Sequence, residues 1–197
     1  MSNASSAAPV PRTPPILLDL PTQFSTDRLL IRAPQPGDGA VLNAAVRESW
    51  DDLSRWLPWA KQIPTVEQSE ALMRDAAAKW LRRDEFWLLL FEKASGELVG
   101  SSGLHPKDWD VPRFETGYWV RSRYAGRGFM TEAVRAITAF AVQRLGARRV
   151  QLHLDTRNDR SRRVAERAGF TCEGRQHRML IANDGTLADI EHYAFLP

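Results

Sequence analysis

The chain has 197 residues, which is enough for one domain with a substantial core, and its net charge at neutral pH is only +3. This mild charge suits an acidic small-molecule partner but does not by itself indicate a nucleic-acid-binding protein. No apolar run approaches the ~20 residues that cross a bilayer, and a single cysteine, Cys172, excludes an internal disulfide. We therefore expect a cytoplasmic protein without a membrane partner.

The beginning of the chain predicts an arm, a strand and a helix. Residues 1–22 are rich in Ser, Ala and Pro and lack periodicity, which predicts a flexible arm ahead of a single domain over residues 23–197. Residues 29–32 predict the first strand. Asp38 is expected to cap the helix that follows. The apolar face of this helix consists of Val41, Leu42, Ala45 and Val46.

Two more helices are predicted before the sheet continues. The aromatic and apolar residues from Trp50 to Leu57 indicate a short helix that Pro58 ends. Thr65-Val-Glu-Gln68 has the spacing of a capping box, in which two side chains satisfy backbone amides at a helix start. The apolar face of that helix consists of Leu72, Met73, Ala76 and Trp80.

The remainder of the chain alternates strands and helices. Helices are predicted from Met130 to Leu145 and from Asn158 to Ala168, each followed by a glycine that ends it. Strands are predicted at residues 86–91, 98–104, 114–120, 150–154, 176–182 and 187–196, the last two joined at Asn183-Asp-Gly185. This order predicts an α/β protein with a mixed sheet and helices on both faces.

A basic turn joins the third of these strands to its helix, and it holds Gly126 and Gly128. Glycines let a backbone approach a ligand closely, and the first amides of a helix attract anions. Three arginines add positive charge: Arg121, Arg123 and Arg127. The turn therefore suits a pyrophosphate, although the spacing alone leaves a surface turn without a ligand as the alternative.

Arg123-Tyr-Ala-Gly126-Arg-Gly128 resembles the Arg/Gln-x-x-Gly-x-Gly/Ala signature of the GCN5-related N-acetyltransferases, the GNAT superfamily. That superfamily uses this loop to hold the pyrophosphate of acetyl-coenzyme A. The resemblance runs from about Ser25 to the C-terminus. Four further motifs are similar to the ribosomal-protein N-terminal acetyltransferases of RimJ/RimL type: Thr26-Asp-Arg-Leu-Leu-Ile-Arg32, Trp56-Leu-Pro-Trp59, Gly117-Tyr-Trp119 and Asn158-x-x-Ser161.

The resemblance implies the GNAT fold, with a mixed and mostly antiparallel central sheet. It implies acetyl-CoA as co-substrate, no metal, and direct transfer of the acetyl group to a primary amine in a ternary complex. A protein N-terminal α-amine is the acceptor that this branch implies. The cofactor-binding residues that it implies are Trp119, Val120, Arg121, Arg123, Tyr124, Ala125, Gly126, Arg127, Gly128, Phe129, Met130, Asn158 and Ser161.

Glu115 is the candidate base that takes a proton from the attacking amine, which is mostly protonated at neutral pH. It shares strand parity with Gly117 and Trp119, so its side chain is expected on the same side of the sheet. Some relatives place a glutamate on the penultimate strand instead, where this chain has Leu180. An ion pair with an arginine at the sheet end is the alternative role of Glu115.

Ser161 is the candidate hydroxyl for the departing thiolate. Some superfamily members use a tyrosine on the helix after Asn158, and the corresponding helix here contains none. Because serine also caps helices well, the acid role and the cap role are both open.

Trp56, Trp59 and His105 are the candidate acceptor-binding residues. The resemblance implies that the tryptophan segment walls the acceptor groove. His105 follows a strand that ends near the same cleft, and a structural hydrogen bond is its alternative role.

Other functions are left open by the sequence. The acceptor could be a small amine such as a polyamine or an aminoglycoside. The chain could also bind acyl-CoA without catalysis, or bind nucleic acid through the arginines of residues 157–167. Both a monomer and a homodimer fit the sequence.

Overall fold

The computed structural model describes residues 13–197, so residues 1–12 of the predicted arm lie outside the described residues. Residues Pro15–Leu17 form a short 3₁₀ turn, and Leu20 is buried in the core. Arg83 donates a hydrogen bond of 2.7 Å to the carbonyl oxygen of Leu18. The chain therefore joins the domain before residue 23, the boundary that its composition suggests.

Eight strands and five α-helices make up residues 13–197. The strands are β1 (Gln23–Ser25), β2 (Leu29–Arg32), β3 (Phe86–Glu92), β4 (Leu98–Asp108), β5 (Arg113–Val120), β6 (Arg149–Asp155), β7 (Thr171–Ile181) and β8 (Leu187–Phe195). The helices are α1 (Gly39–Glu48), α2 (Trp50–Trp56), α3 (Val66–Arg82), α4 (Phe129–Leu145) and α5 (Asp159–Arg167). The sequence predicts all of these except β1, which is too short to carry a period.

The strands form one sheet in the order β1-β2-β3-β4-β5-β6-β8-β7. Every neighbouring pair is antiparallel except β5 and β6, which run parallel. A parallel pair needs a crossover connection, and α4 supplies it. The prediction of an α/β protein with a mixed, mostly antiparallel sheet is confirmed.

Helices cover both faces of the sheet. On one face, Phe129 of α4 belongs to the same buried cluster as Phe114 of β5. On the other face, Met73 of α3 belongs to a second cluster with Trp119 of β5. Because successive side chains of a strand point to opposite faces, β5 contributes to both layers of the core. None of the described helices is long and apolar enough to span a bilayer.

The predicted helix ends are found at α3 and α4. The Thr65 hydroxyl accepts a hydrogen bond from the Gln68 amide (3.2 Å), and the Gln68 side chain accepts one from the Thr65 amide (2.9 Å). This reciprocal pair is the predicted capping box. At the C-terminal end of α4, Gly146 adopts φ of 66° and ends the helix.

Asp38 does not cap α1 with its side chain, so that prediction is wrong. Its buried carboxylate accepts two hydrogen bonds from the Arg32 guanidinium, at 2.6 and 2.7 Å. A paired guanidinium is a stronger partner for a carboxylate than a neutral amide. Glu70 of α3 instead accepts hydrogen bonds from the amides of Gly37 and Gly39 at the start of α1. A tertiary contact therefore replaces the local cap.

Candidate functional site

The parallel strands β5 and β6 separate after only three paired residues. Residues 113–115 of β5 pair with residues 149–151 of β6. Residues 116–120 of β5 continue to pair with β4 on the opposite edge. The last five residues of β5 therefore have an edge that is free of a neighbouring strand.

The direction of the backbone amides along this free edge follows from the pairing with β4. The Arg121 amide donates to the Val99 carbonyl on the β4 side at 2.7 Å. Because backbone donors alternate between the two edges of an antiparallel strand, the amides of Tyr118 and Val120 point to the free edge. The Trp119 amide points to β4. Of the Trp119 and Val120 amides, the Val120 amide is therefore the one that faces the opening.

A cleft of about 400 Å³ lies between α2, the free edge of β5, the start of α4 and the side of α5. Ten of the thirteen predicted cofactor residues line it: Trp119, Val120, Tyr124, Ala125, Gly126, Gly128, Phe129, Met130, Asn158 and Ser161. The other three are the arginines of the loop. Residues distant in the sequence thus meet at one cavity.

The glycine loop has the backbone geometry that its sequence predicts. Gly126 and Gly128 have φ of 75° and 80°, a region that other residues rarely adopt. Nothing lies within 4 Å of a Cβ placed on Gly126, so the cleft is open above it. No described side chain caps α4, and its first residues, Phe129 and Met130, line the cleft. The first amides of α4, which have no intrahelical partner, therefore lie beside the cleft. This arrangement favours an anion at the start of α4.

The three loop arginines do not line the cleft, and each faces a carboxylate instead. Arg121 pairs with Glu48 at 2.6 Å, and Arg123 pairs with Glu97 at 3.0 Å. Arg127 lies 3.9 Å from Glu92 and packs over the Tyr124 and Phe129 rings. Their charges are thus balanced within the protein, which the sequence pattern did not reveal.

A clamp formed by Thr26, Arg28 and Glu132 holds the glycine loop. The Glu132 carboxylate accepts hydrogen bonds from the Thr26 hydroxyl, from the Arg28 amide and from the Arg28 guanidinium. Arg28 also donates to the Arg127 carbonyl at 3.0 Å. Burial alone would raise the pKa of Glu132, but these hydrogen bonds hold it below its usual value. The segment just before β2 and the first turn of α4 are therefore joined beside the glycine loop.

Asn158, and not Ser161, caps α5. The Asn158 side chain accepts a hydrogen bond from the Ser161 amide at 3.1 Å. The Ser161 hydroxyl instead donates to the Tyr118 hydroxyl at 3.1 Å. The cap interpretation of Ser161 is therefore wrong, because the residue three positions earlier already satisfies the helix start.

Tyr118 brings a phenol into the cleft that sequence reasoning missed. Its hydroxyl donates to the Ser161 carbonyl at 3.0 Å. Burial raises the pKa of Tyr118 to about 12, so the phenol keeps its proton at neutral pH. The tyrosine that lies beside the start of α5 therefore belongs to β5 and not to α5 itself. The parity of β5, which places Tyr118 opposite to Trp119, was the available signal.

Glu115 lies at the last paired position of β5, outside the lining of the cleft. Its carboxylate pairs with Lys107 at 2.9 Å and lies 3.9 Å from Nδ1 of His153. Burial lowers the pKa of His153, and the Glu115 charge opposes this shift less strongly, so the imidazole is neutral at pH 7. The partner of Glu115 is therefore a lysine rather than the expected arginine.

The three candidate acceptor residues separate in the structure. Trp56 lines the cleft together with Leu57. Trp59 is exposed and lies outside the lining. His105 is also outside it, with Nδ1 at 3.7 Å from Glu85. Between Glu115 and Trp119, Gly117 is exposed, and nothing lies within 4 Å of a Cβ placed on it. The sheet face at Gly117 is therefore open to solvent.

The basic face suggested for nucleic acid is neutralised in part, at three of its five arginines. Arg157 pairs with Asp155 (2.7 Å) and Asp184 (3.0 Å). Ion pairing also engages two of its neighbours: Arg160 lies 3.5 Å from Asp52, and Arg162 pairs with Glu191 at 2.9 Å. This pairing reduces the net charge that the face offers to a phosphate backbone and leaves Arg163 and Arg167 beside the cleft.

The sequence comparisons agree with the cleft and the loop. Residues 28–171 match the acetyltransferase (GNAT) domain family. The chain belongs to this family of GNAT acetyltransferases. Its activity class is that of an N-acetyltransferase that uses acetyl-CoA, as the loop signature implies.

Individual relatives cover most of the chain. A Bacillus subtilis protein named "Putative ribosomal N-acetyltransferase YdaF" is 29% identical over 173 residues, which are 86% of this chain and 92% of that protein. A solved structure described as a "Probable acetyltransferase" is 26% identical, covers 88% of this chain and 96% of its own, and has a TM-score of 0.81. The structure of RimL, a ribosomal L7/L12 α-N-protein acetyltransferase solved with coenzyme A, shares the fold at 22% identity and a TM-score of 0.80, with 87% and 95% of the two chains covered.

Proposed function

We propose that this enzyme transfers the acetyl group of acetyl-CoA directly to the α-amine at the N-terminus of a protein. The observation that carries the proposal is the free edge of β5, which leads from the glycine loop to Trp119 along one cleft. One end of this cleft offers uncapped helix amides for a diphosphate. The other end offers strand amides without a neighbouring strand.

The free edge suits the pantetheine arm and the thioester. An extended amide-containing chain can hydrogen-bond to an unpaired strand edge as an added strand does. The Val120 amide, which faces the opening, is the donor that we assign to the thioester carbonyl oxygen. A preorganised amide stabilises the negative charge that develops on this oxygen during attack.

The chemical step needs one nucleophile and two proton transfers. The amine nitrogen attacks the thioester carbonyl carbon, and the carbon–sulfur bond of the resulting tetrahedral species breaks to give an amide and a thiolate. Glu115 takes the proton that the amine loses, and a hydroxyl in the cleft wall protonates the thiolate. Along a strand, Glu115 lies roughly 10 Å from Tyr118, and we assign the transfer of the proton between amine and carboxylate to a bridging water molecule.

Access to the cleft supports a polypeptide acceptor. Gly117 leaves the sheet face open between Glu115 and Trp119, so a polypeptide end can reach the free edge of β5. YdaF, which is 29% identical over 173 residues, carries the name of a putative ribosomal N-acetyltransferase. Asp52, which would attract a small polycation, is instead bonded to Ser122 (2.6 Å) and faces Arg160. These contacts favour a peptide over a polyamine.

A competition assay tests the proposal. The enzyme is incubated with acetyl-CoA and a panel of peptides with free N-termini, the same peptides with blocked N-termini, polyamines and aminoglycosides. Mass spectrometry then locates the added acetyl group. We expect acetylation of the free α-amines and none of the blocked peptides, whose lysine side chains serve as internal controls. Acetylation of the small amines alone would contradict the acceptor class, and binding of acetyl-CoA without any turnover would contradict the enzymatic role.

A further inference from the structure

Two arginines of α5 lack a partner in the structure. Arg163 and Arg167 are exposed, lie one helical turn apart and line the cleft beside Gly128. Neither guanidinium forms a hydrogen bond or an ion pair with any residue of the described chain, residues 13–197. Like charges at this spacing repel each other, so the pair costs stability unless an anion lies between them.

The neighbouring cations make this lack of partners informative. Arg121 and Arg123 of the glycine loop pair with glutamates, and so does Arg162 of α5. Among the arginines around the cleft, positive charge without a facing carboxylate is therefore concentrated on Arg163 and Arg167. Coenzyme A brings three phosphate groups, and the loop amides account for its diphosphate alone. The ribose 3′-phosphate is a dianion that still needs a cation.

The position of Arg167 matches that need. A second hollow adjoins the cleft and shares Gly128, Thr131 and Arg167 with it. This hollow is also lined by Arg28, Arg135, Asp27 and Glu132. Arg28 is paired with Glu132 at 2.6 Å, so Arg28 is already engaged within the protein and Arg167 is available to an anion. Arg167 lies about 9 Å further along the α5 axis than Ser161. It is therefore at the end of the cleft away from the reacting thioester, where the nucleotide of a bound coenzyme would emerge past the loop.

We propose that Arg167 binds the 3′-phosphate of coenzyme A, so that the enzyme selects coenzyme A over its 3′-dephospho form, and that Arg163 faces the diphosphate. This inference rests on the proposed function, because it assumes that the cleft holds a coenzyme A thioester. A guanidinium binds a phosphate with two parallel hydrogen bonds, which a lysine cannot reproduce. Because the Arg167 guanidinium has no partner among residues 13–197, phosphate binding there does not require an ion pair with these residues to break.

Calorimetry with coenzyme A and 3′-dephospho-coenzyme A tests the inference. We expect the wild-type protein to bind coenzyme A ~10-fold or more tightly than the dephospho form, as one charge-assisted phosphate contact implies. Arg167→Gln is expected to remove this preference and to leave the affinity for the dephospho form within ~2-fold of wild type. Arg163→Gln is expected to weaken both ligands alike, and Arg167→Lys to restore part of the preference.

Arg144→Gln is the matched control, because it removes the same charge from the exposed last turn of α4, about 22 Å along the axis from the helix start. It should leave both affinities unchanged. Equal binding of the two ligands by the wild-type protein would overturn this inference and leave the acetyltransferase function intact. Equal weakening of both ligands by Arg167→Gln would overturn it as well. Failure of the wild-type protein to bind either ligand would instead contradict the proposed function.

Discussion

Tyr118 and Ser161 lie against each other in the wall of the cleft, although 43 positions separate them in the chain. The phenol is the better candidate for the thiolate, because its raised pKa keeps it protonated through the range in which the enzyme is assayed. The Ser161 hydroxyl donates to the phenol, and the Ser161 carbonyl accepts from it. The serine side chain therefore positions the phenol but is not needed to hold it.

Replacing the two hydroxyls should have unequal effects. Tyr118→Phe is expected to slow the chemical step by ~10²-fold with little change in coenzyme affinity, whereas Ser161→Ala should slow it less, because the backbone carbonyl still holds the phenol. Single-turnover rates with two acyl donors measure this. Removal of a proton donor harms a thioester with a poor leaving group more than one with a good leaving group. Equal losses for both donors would rule out the acid role of Tyr118.

Glu115 is the second residue whose role can be measured. Glu115→Gln should lower turnover by ~10²-fold at neutral pH and leave coenzyme affinity nearly unchanged. Activity should return in part at high pH, where the amine loses its proton without a base. Glu173→Gln is the control, since it removes an exposed carboxylate on β7 that pairs with Arg149 of β6. A wild-type rate and pH profile for Glu115→Gln would exclude this base.

At the scale of single residues, the sequence predicts the parts of the site that depend on local backbone. The turn at Gly126 and Gly128 and the start of α5 at Asn158 are predicted from the residue types and their spacing. The contact between Tyr118 and Ser161 could not be predicted, because it depends on how β5 and α5 pack. Nor could the pairing of the loop arginines, since their glutamate partners come from elsewhere in the chain. The sequence reveals which residues are charged but not which charges are balanced.

The glycine loop and α4 form one continuous element. Glycine substitutions at its two ends can distinguish an effect on ligand binding from an effect on stability. Gly126→Val and Gly128→Val should greatly weaken acetyl-CoA binding, because a side chain there blocks the approach of phosphates to the backbone. Gly146→Val at the opposite end of α4 is the matched control. It has φ of 66° and nothing within 4 Å of its Cβ position, so it imposes a similar strain away from the cleft. Calorimetry on the folded variants decides between the two effects, and unchanged affinity in Gly126→Val would contradict the assignment of the loop.

The clamp between β2 and α4 should make stability depend on pH. Burial raises the pKa of Glu132, but the hydrogen bonds from Thr26 and Arg28 together lower it by more. The pKa of Glu132 in the folded protein therefore lies below its pKa in the unfolded chain. Its contribution to the free energy of unfolding is therefore complete above the usual glutamate pKa of about 4.3 and is lost as the pH falls through the lower folded value. The difference in urea midpoint between wild type and Glu132→Gln should be largest near neutral pH and shrink at acid pH. A difference that is constant with pH would show that the carboxylate charge does not stabilise the clamp.

At the scale of the whole molecule, the order of elements predicts the layers of the fold, because each strand and helix carries its own period. The sheet edge at β1 is missed, since three residues show no alternation. The cap at Asp38 is wrong, because Arg32 reaches it from the neighbouring strand. The separation of β5 from β6 is not visible in the residues themselves, which predict one continuous strand over residues 114–120. Tertiary contacts decide each of these cases.

The open sheet face is the whole-molecule feature that admits an acceptor, and Gly117 is the residue through which it can be closed. The φ of Gly117 is not positive, and nothing lies within 4 Å of its Cβ position, so a strand-favouring side chain can be added without strain. Gly117→Phe should leave acetyl-CoA affinity unchanged, because Gly117 is outside the lining of the cleft. The same change should lower kcat/KM for a peptide acceptor by ~10-fold or more, since an aromatic ring occupies the path to the free edge of β5. Gly117→Ala is the control, and its small side chain should have little effect on either quantity. Unchanged peptide acetylation by Gly117→Phe would mean that the acceptor reaches the thioester from another side of the molecule.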